Sequence, residues 1–237
     1  MQYQNQLLWM KGLQIPSNQE VSYELIVEKM KNSQQYYNIS KNHYQCNVSP
    51  TIDGMLGGLS YVHEPETQWS VKYLKNILQH YDIVANLCLD VGAGIGRVTE
   101  HVLSKIFISV DTVENNQQYS VIQKCTRQKY IQEAQLFLID QTYDLIWIQW
   151  VIGHLTDQDL LQMFKNFAKM TKYIVIKDNL CTQGFMFDST DANILRNFHL
   201  FEDIVKQAGF IIKESEIPDT WPKNLYPIQA ILLQRME

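Results

Sequence analysis

The sequence has no CxxC pair, no matching Cys/His pair, and no apolar run of eighteen residues. Its cysteines, Cys46, Cys88, Cys125 and Cys181, stand too far apart for a zinc site, so reduced thiols and no bound metal are expected. Near the start the only apolar patch is Leu7-Leu8-Trp9-Met10, with no longer apolar stretch or cleavage pattern behind it. Neither secretion nor membrane spanning is therefore expected. A basic excess is missing as well: 20 Lys and Arg stand against 25 Asp and Glu, a formal net charge of −5. That argues against a protein that coats nucleic acid, whose affinity comes mainly from a basic face, and it favours a cationic substrate. What is present is a chain of 237 residues, 46% apolar and 19% charged, which suits one α/β-sized domain with a short extension. The 13 Tyr and 5 Trp are enough to line a cleft as well as fill a core.

Residues 1–42, rich in Gln, Asn, Tyr and Ser, read as an N-terminal helical extension. Their periodic piece carries Leu25, Ile26 and Met30 at helical spacing after the candidate caps Ser17 and Asn18. Residues 43–237 read as the main domain. After Pro50, apolar runs alternate with amphipathic stretches: a helix over 69–81, a strand over 86–90, a glycine loop with a helix over 97–106, and a strand over 108–113. A polar helix follows to about Tyr130, then a strand over 144–150 and a helix capped by Thr156-Asp157. The remainder reads as a strand over 173–177, a helix over 191–207 ending at Gly209, and strands at 210–213 and 228–233. Such alternation implies a doubly wound α/β fold, with a mostly parallel sheet covered on both faces and an antiparallel C-terminal edge hairpin.

The sharpest local signal is Leu89-Asp-Val-Gly-Ala-Gly-Ile-Gly-Arg97. Glycines at 92, 94 and 96 allow a tight turn from strand to helix and close approach to a ligand. The spacing is Gly-x-Gly-x-Gly, not Gly-x-Gly-x-x-Gly, and Asp90 precedes it; a carboxylate there disfavours a diphosphate and favours a cation. S-adenosyl-L-methionine carries a sulfonium and an ammonium and no phosphate. Glu114, at the end of the next strand, is placed to accept from ribose hydroxyls. A structural glycine turn is the alternative.

A second signal is Trp147-Ile-Gln-Trp-Val-Ile-Gly-His-Leu-Thr-Asp157, at the end of a central strand, where open α/β sheets bind ligands. Taken alone, His154 reads more simply as a core or helix-approach histidine than as a base. Trp147 and Trp150, three apart, face opposite sides of a strand, so one at most looks into a given pocket.

Together with Pro50-Thr-Ile-Asp-Gly-Met-Leu-Gly-Gly58 and Ile174-Val-Ile-Lys-Asp-Asn179, these motifs give a sequence that resembles the eukaryotic protein N-terminal (α-N) methyltransferases over roughly residues 43–233. That family methylates the α-amine of proteins beginning X-Pro-Lys or X-Pro-Arg, using S-adenosyl-L-methionine on a class I methyltransferase, Rossmann-like fold. The resemblance places the cofactor on Gly92, Gly94, Arg97 and Gln149, its ribose on Glu114, and its adenine beside Ile131-Gln132. It assigns Leu56, Gly57, Trp150, Asn179, Asp188 and Tyr226 to the peptide, with Trp150 against the proline and Asp188 toward the basic third residue. Asp191 and His154 match the groups that remove the proton. The partners so implied are the N-terminal segments of substrate proteins, met by a monomer in the nucleus and cytoplasm.

The chemistry is consistent with this. Only a neutral amine has the lone pair for in-line methyl transfer, and with a reference pKa of about 7.7–8.0 on the order of a tenth of α-amines are neutral at pH 7. Alignment and modest base help suffice. The acids Asp178, Asp188 and Asp191 would give the cleft a field suited to a cationic N-terminus, although Asp191 at a helix start could also be an N-cap. The sequence departs from the family at Gln45, where an aromatic next to Tyr44 is expected, and at Ser189 and Asn224, where acids are expected. The last two predict tolerance of a non-basic third residue. A class I methyltransferase with another substrate, or a non-catalytic member that binds cofactor or peptide, are the alternatives.

Overall fold

The computed structural model describes residues 22–24, 34–188 and 191–237. The stretch around Leu25, Ile26 and Met30, the candidate caps Ser17 and Asn18, and Ser189 lie outside them. The main sheet runs β3-β2-β1-β4-β5-β9-β8. Its strands are β1 (Leu87–Val91), β2 (Ser109–Val113), β3 (Gln128–Tyr130), β4 (Leu145–Gln149), β5 (Tyr173–Asn179), β8 (Phe210–Glu216) and β9 (Ile228–Arg235). β1 to β5 pair in parallel, and β9 inserts antiparallel between β5 and β8. The Rossmann-like sheet with its antiparallel C-terminal pair is the one expected. A small separate hairpin joins β6 (Phe185–Asp188) to β7 (Asn193–Arg196).

Strand alternation builds a core on each face. Ile146 and Ile148 enter one with Phe164, Phe167 and Phe201, while Leu145 and Trp147 enter the other with Trp69, Leu74 and Ile77. Every residue of β4 is buried, as expected of a central parallel strand. β1 lies between β2 and β4, so the strand order reverses beside it; the crevice at the carboxyl ends of β1 and β4 is where such a sheet takes a ligand.

Among the described residues from Gln34 on, the helices are α1 (Gln34–Cys46), α2 (His63–His80), α3 (Arg97–His101), α4 (Gln117–Ile122), α5 (Asp157–Phe167) and α6 (Phe198–Gln207), with a single turn at Ile52–Met55. α1 runs across the division placed between residues 42 and 43. α2 starts earlier than periodicity indicated, because Pro65 falls in its first turn, where a missing N–H is harmless, and Glu64 and Glu66 favour a helix start. α3 is shorter than expected and passes into a 3-10 turn at Leu103–Lys105.

Two expectations are corrected. The polar helix assigned up to Tyr130 stops at Ile122, and Gln128–Tyr130 forms the edge strand β3. An edge strand three residues long carries no apolar run, so periodicity had nothing to register. The helix assigned to 191–207 begins only at Phe198, where the Asn197 side chain accepts from Leu200 N at 3.0 Å. Ile194 and Leu195 mimic the helical period but are buried in β7. Asp191 therefore stands in the hairpin turn and caps no helix. Thr156 does cap α5, and Gly209 follows α6 at φ 88°, as read.

Candidate functional site

A cavity of about 250 Å³ opens at the crevice beside β1 and β4. Gly92, Gly94, Arg97, Glu114, Gln132, Gln149, Trp150 and His154 all line it, under a cover of Tyr37, Ser40 and Tyr44 from α1. The glycine loop is held from below: Glu114 accepts from Gly94 N at 2.7 Å and from Asn116 N at 2.8 Å, and Gln123 Nε2 donates to the Gly94 carbonyl at 2.7 Å. A Cβ on Gly92 would come within 2.3 Å of Val151 Cγ2, so only glycine lets the loop pass the segment that follows β4. Burial raises the Glu114 carboxyl, opposed by those two amides. Burial also lifts Asp90 to about 7, against the Thr99 hydroxyl that binds it. Its charge is thus weaker than the sequence implied, and a cationic ligand would restore it.

Beneath the loop lies a buried ionic network. Glu66 of α2 binds Arg97 Nη1 at 2.6 Å and Lys177 Nζ at 2.6 Å, and accepts from Gln149 Nε2 at 3.0 Å. Gln149 is fixed at its other end by Trp147 Nε1 at 3.2 Å. Burial acts to raise the Glu66 carboxyl, but Arg97 and Lys177 together hold it well below the usual range. Burial pushes the Lys177 ammonium down, and Glu66 counters it. Arg97 Nη2 is buried without a hydrogen-bond partner among the described residues, as is Asn116 Nδ2. Two unpartnered donors on one cavity wall suit a ligand carrying a carboxylate and further acceptors, which is what the amino-acid and nucleoside ends of S-adenosyl-L-methionine supply. The residues fit that cofactor.

The loop after β4 is shaped by buried charges. Asp178 accepts from Val151 N at 2.8 Å, Ile152 N at 3.1 Å and Asn179 N at 2.8 Å. It is 2% exposed, and burial raises it to about 6, so it braces this loop and does not face the peptide as expected. The bracing matters because Trp150 sits at φ 56°, a left-handed conformation that a bulky residue keeps only under constraint. From β7, buried Arg196 donates to the Ile152 carbonyl at 2.8 Å and the Leu155 carbonyl at 2.7 Å, and pairs with Asp157 at 2.7 Å. A Cβ on Gly153 would lie 1.8 Å from Asn193 Oδ1, so glycine here lets the hairpin dock against the loop.

That docking brings Asp191 to His154. Asp191 Oδ2 is 3.9 Å from His154 Nε2, and the Tyr44 hydroxyl lies 3.3 Å from Nε2 and 3.5 Å from Oδ2. Ser40 Oγ is 3.3 Å from His154 Nδ1, so α1 supplies a neighbour to each ring nitrogen. Tyr119 fastens α1 by donating to the Tyr44 and Val48 carbonyls. Burial raises Asp191, opposed by His154 and reinforced by Asp188, and its Oδ1 is buried without a partner among the described residues. Burial likewise raises Tyr226, helped by Asp188 and Asp191, so these three share one electrostatic neighbourhood.

The other assigned positions are arranged less directly. Asn179 Nδ2 donates to the Tyr226 and Pro227 carbonyls, each at 3.2 Å. Leu56 is buried and Gly57 exposed, next to Met55, which lines the cavity. Ile131 is largely exposed and outside the lining, which Gln132 joins. The sequence reading missed Glu66, Lys177, Arg196, Ser40 and Tyr119. Lys177 and Glu66 did leave a signal: a lysine continuing the apolar run of β5, and an acid one turn before Ser70 on the apolar face of α2. Arg196, Ser40 and Tyr119 left none, since each acts on residues distant in the chain.

Comparison with known proteins agrees with this geometry. A family model described as AdoMet dependent proline di-methyltransferase matches residues 32–234. The N-terminal Xaa-Pro-Lys N-methyltransferase 1-A of Xenopus laevis is 33% identical over 228 residues, covering 87% of this chain and 99% of the relative. The Homo sapiens N-terminal Xaa-Pro-Lys N-methyltransferase 1 is 32% identical over 227 residues, with the same coverage. A SAM-dependent methyltransferase structure from Leishmania major superposes with a TM-score of 0.78 at 25% identity, covering 84% of this chain and 83% of its own.

Proposed function

The chain belongs to the AdoMet-dependent proline di-methyltransferase family and is an S-adenosyl-L-methionine-dependent methyltransferase, and from that premise we propose that it methylates the α-amine of protein N-termini beginning X-Pro-Lys or X-Pro-Arg. The observation that carries this reading is Asp191: a half-buried carboxylate whose Oδ1 is buried without a partner among the described residues, set beside His154, which lines the cofactor cavity. An unpartnered buried acceptor is costly unless a donor completes it, and a protonated amine is the donor that its charge favours.

Gly92, Gly94, Glu114, Gln132 and Gln149 would hold the cofactor, with Arg97 Nη2 on its carboxylate. When bound, the cofactor supplies an electrophilic methyl group. The protein's own task is to orient the amine and take its proton. Asp191 attracts and orients the ammonium, and His154 Nε2 receives the proton, directly or through a water. The Tyr44 hydroxyl, between Nε2 and Oδ2, holds the two groups in one geometry. Trp150 packs on the proline, Asn179 and Tyr226 bind the peptide backbone, and Leu56 and Gly57 flank it. Asp188 meets the third residue; without acids at 189 and 224, a non-basic residue is tolerated there.

The test is to incubate the protein with S-adenosyl-L-methionine and a short Ser-Pro-Lys peptide, free or N-acetylated, and to measure peptide mass. The free peptide is expected to gain one to three methyl groups, located by fragmentation on the terminal nitrogen, and the acetylated peptide none. Equal gain on both would assign the activity to the lysine side chain, and no gain on either would refute the reading.

A further inference from the structure

Trp221 lies in the loop between β8 and β9. It is half-buried, and neither core cluster includes it among the described residues. A large apolar side chain outside the core calls for another role. Its ring centroid is 6.1 Å from that of Trp150, with the planes inclined at 49°. Its indole N–H donates to the Tyr226 carbonyl at 2.8 Å, the carbonyl that also accepts from Asn179. Trp221 thus reaches Trp150, Asn179 and Tyr226, directly or through one shared acceptor, and these are the residues to which the proposed function gives the peptide.

Two aromatic rings inclined at 49° form a corner, and the flat aliphatic ring of proline is the side chain that aromatic-lined grooves take at least entropic cost. Trp150 cannot easily turn away to open the corner: its backbone is fixed by Asp178, and the Arg97 guanidinium carbon lies 5.3 Å from its ring centre. We propose that Trp221 is a substrate-positioning residue, forming with Trp150 a two-sided aromatic seat for the second residue of the peptide. This rests on the reading of the substrate as an X-Pro N-terminus. It also shifts selectivity toward the second position, in a chain where Ser189 and Asn224 weaken the electrostatic demand at the third.

The test is to titrate the S-adenosylhomocysteine-loaded protein with a Ser-Pro-Lys peptide by calorimetry, alongside steady-state kinetics, for wild type, Trp221→Ala and Trp221→Phe. Trp221→Ala is expected to weaken peptide binding and raise KM by ~tenfold, the scale of one lost aromatic contact and its area. Its kcat and its affinity for S-adenosylhomocysteine should stay near wild type. Trp221→Phe keeps a ring but has no N–H, and should recover most of the loss. Peptide binding that is unchanged or tighter in Trp221→Ala would overturn the seat. So would a Trp221→Phe variant as weak as Trp221→Ala, which would assign the effect to the bond with Tyr226. A wild type that neither binds nor methylates the peptide would refute the functional reading and the seat with it; a methylating wild type matched by Trp221→Ala would refute the seat alone.

Discussion

The bed under the glycine loop and the wall around His154 face the same cavity, yet they draw their bonds from different distances. In the bed, one acid from α2 binds Arg97 Nη1, Lys177 and Gln149 at once, deep between helix and sheet. In the wall, His154 and Asp191 are met by α1, β7 and their turn, with longer contacts of 3.3–3.9 Å and a buried oxygen without a partner among the described residues. Among the described residues the bed leaves only donors open, Arg97 Nη2 and Asn116 Nδ2, for a ligand's acceptors, whereas the wall leaves an acceptor, Asp191 Oδ1, to be completed by substrate. A nucleoside-type ligand that must be held still suits a rigid, closely paired bed with spare donors; a reaction that must take and lose a proton suits groups with a spare acceptor position.

If that contrast holds, damage to the bed should be larger and broader than damage to the wall. Glu66→Gln leaves two buried cations without their carboxylate, an error worth about 3–5 kcal/mol. Tm should fall steeply, and affinity for S-adenosylhomocysteine should drop by ~100-fold or more as Arg97 and Gln149 lose their anchor, at a cost of about 3 kcal/mol. The pH dependence follows the same residue. Glu66 is held down at about 2 in the folded protein, so its stabilisation is full above the usual carboxylate range and is lost as pH falls from about 4.3 toward 2. That step, followed by circular dichroism, should be missing in Glu66→Gln.

Asp191→Asn should cut turnover by roughly 100-fold, the scale of lost acid–base assistance, with little change in Tm. Tyr44→Phe removes one hydroxyl from the pair and should lower kcat/KM by about fivefold, the worth of one hydrogen bond. The smallest effect is at the third substrate residue: Ser-Pro-Gln should be methylated within about tenfold of Ser-Pro-Lys, as expected for one exposed charge pair. A preference of several hundred-fold for Lys would show that Asp188 alone suffices for selectivity.

The same division explains what could be read from the chain. The bed's loop was legible because Gly92, Gly94, Gly96 and the run before them answer to local rules, and β4 announced itself as a continuous apolar strand. Asp191 was legible only through resemblance; residue spacing put it on a helix start, because Ile194 and Leu195 fit a helical period until the docking of β7 onto Gly153 is known. Asp178 was misread for a related reason. An acid beside a cleft looks like a surface charge, and only the three backbone amides it accepts reveal a brace. Ser40, Tyr119 and Arg196 act on residues far away in the chain, where no local pattern reaches.

The most direct test of the division is a calorimetric titration with S-adenosylhomocysteine of wild type, Glu66→Gln and Asp191→Asn, at a temperature where circular dichroism shows all three folded. A bed anchored on Glu66 and independent of the wall predicts that Asp191→Asn binds as wild type does, within about twofold, while Glu66→Gln loses most of its affinity. An Asp191→Asn variant weakened as much as Glu66→Gln would show that cofactor and peptide halves are one coupled network, and would contradict the account.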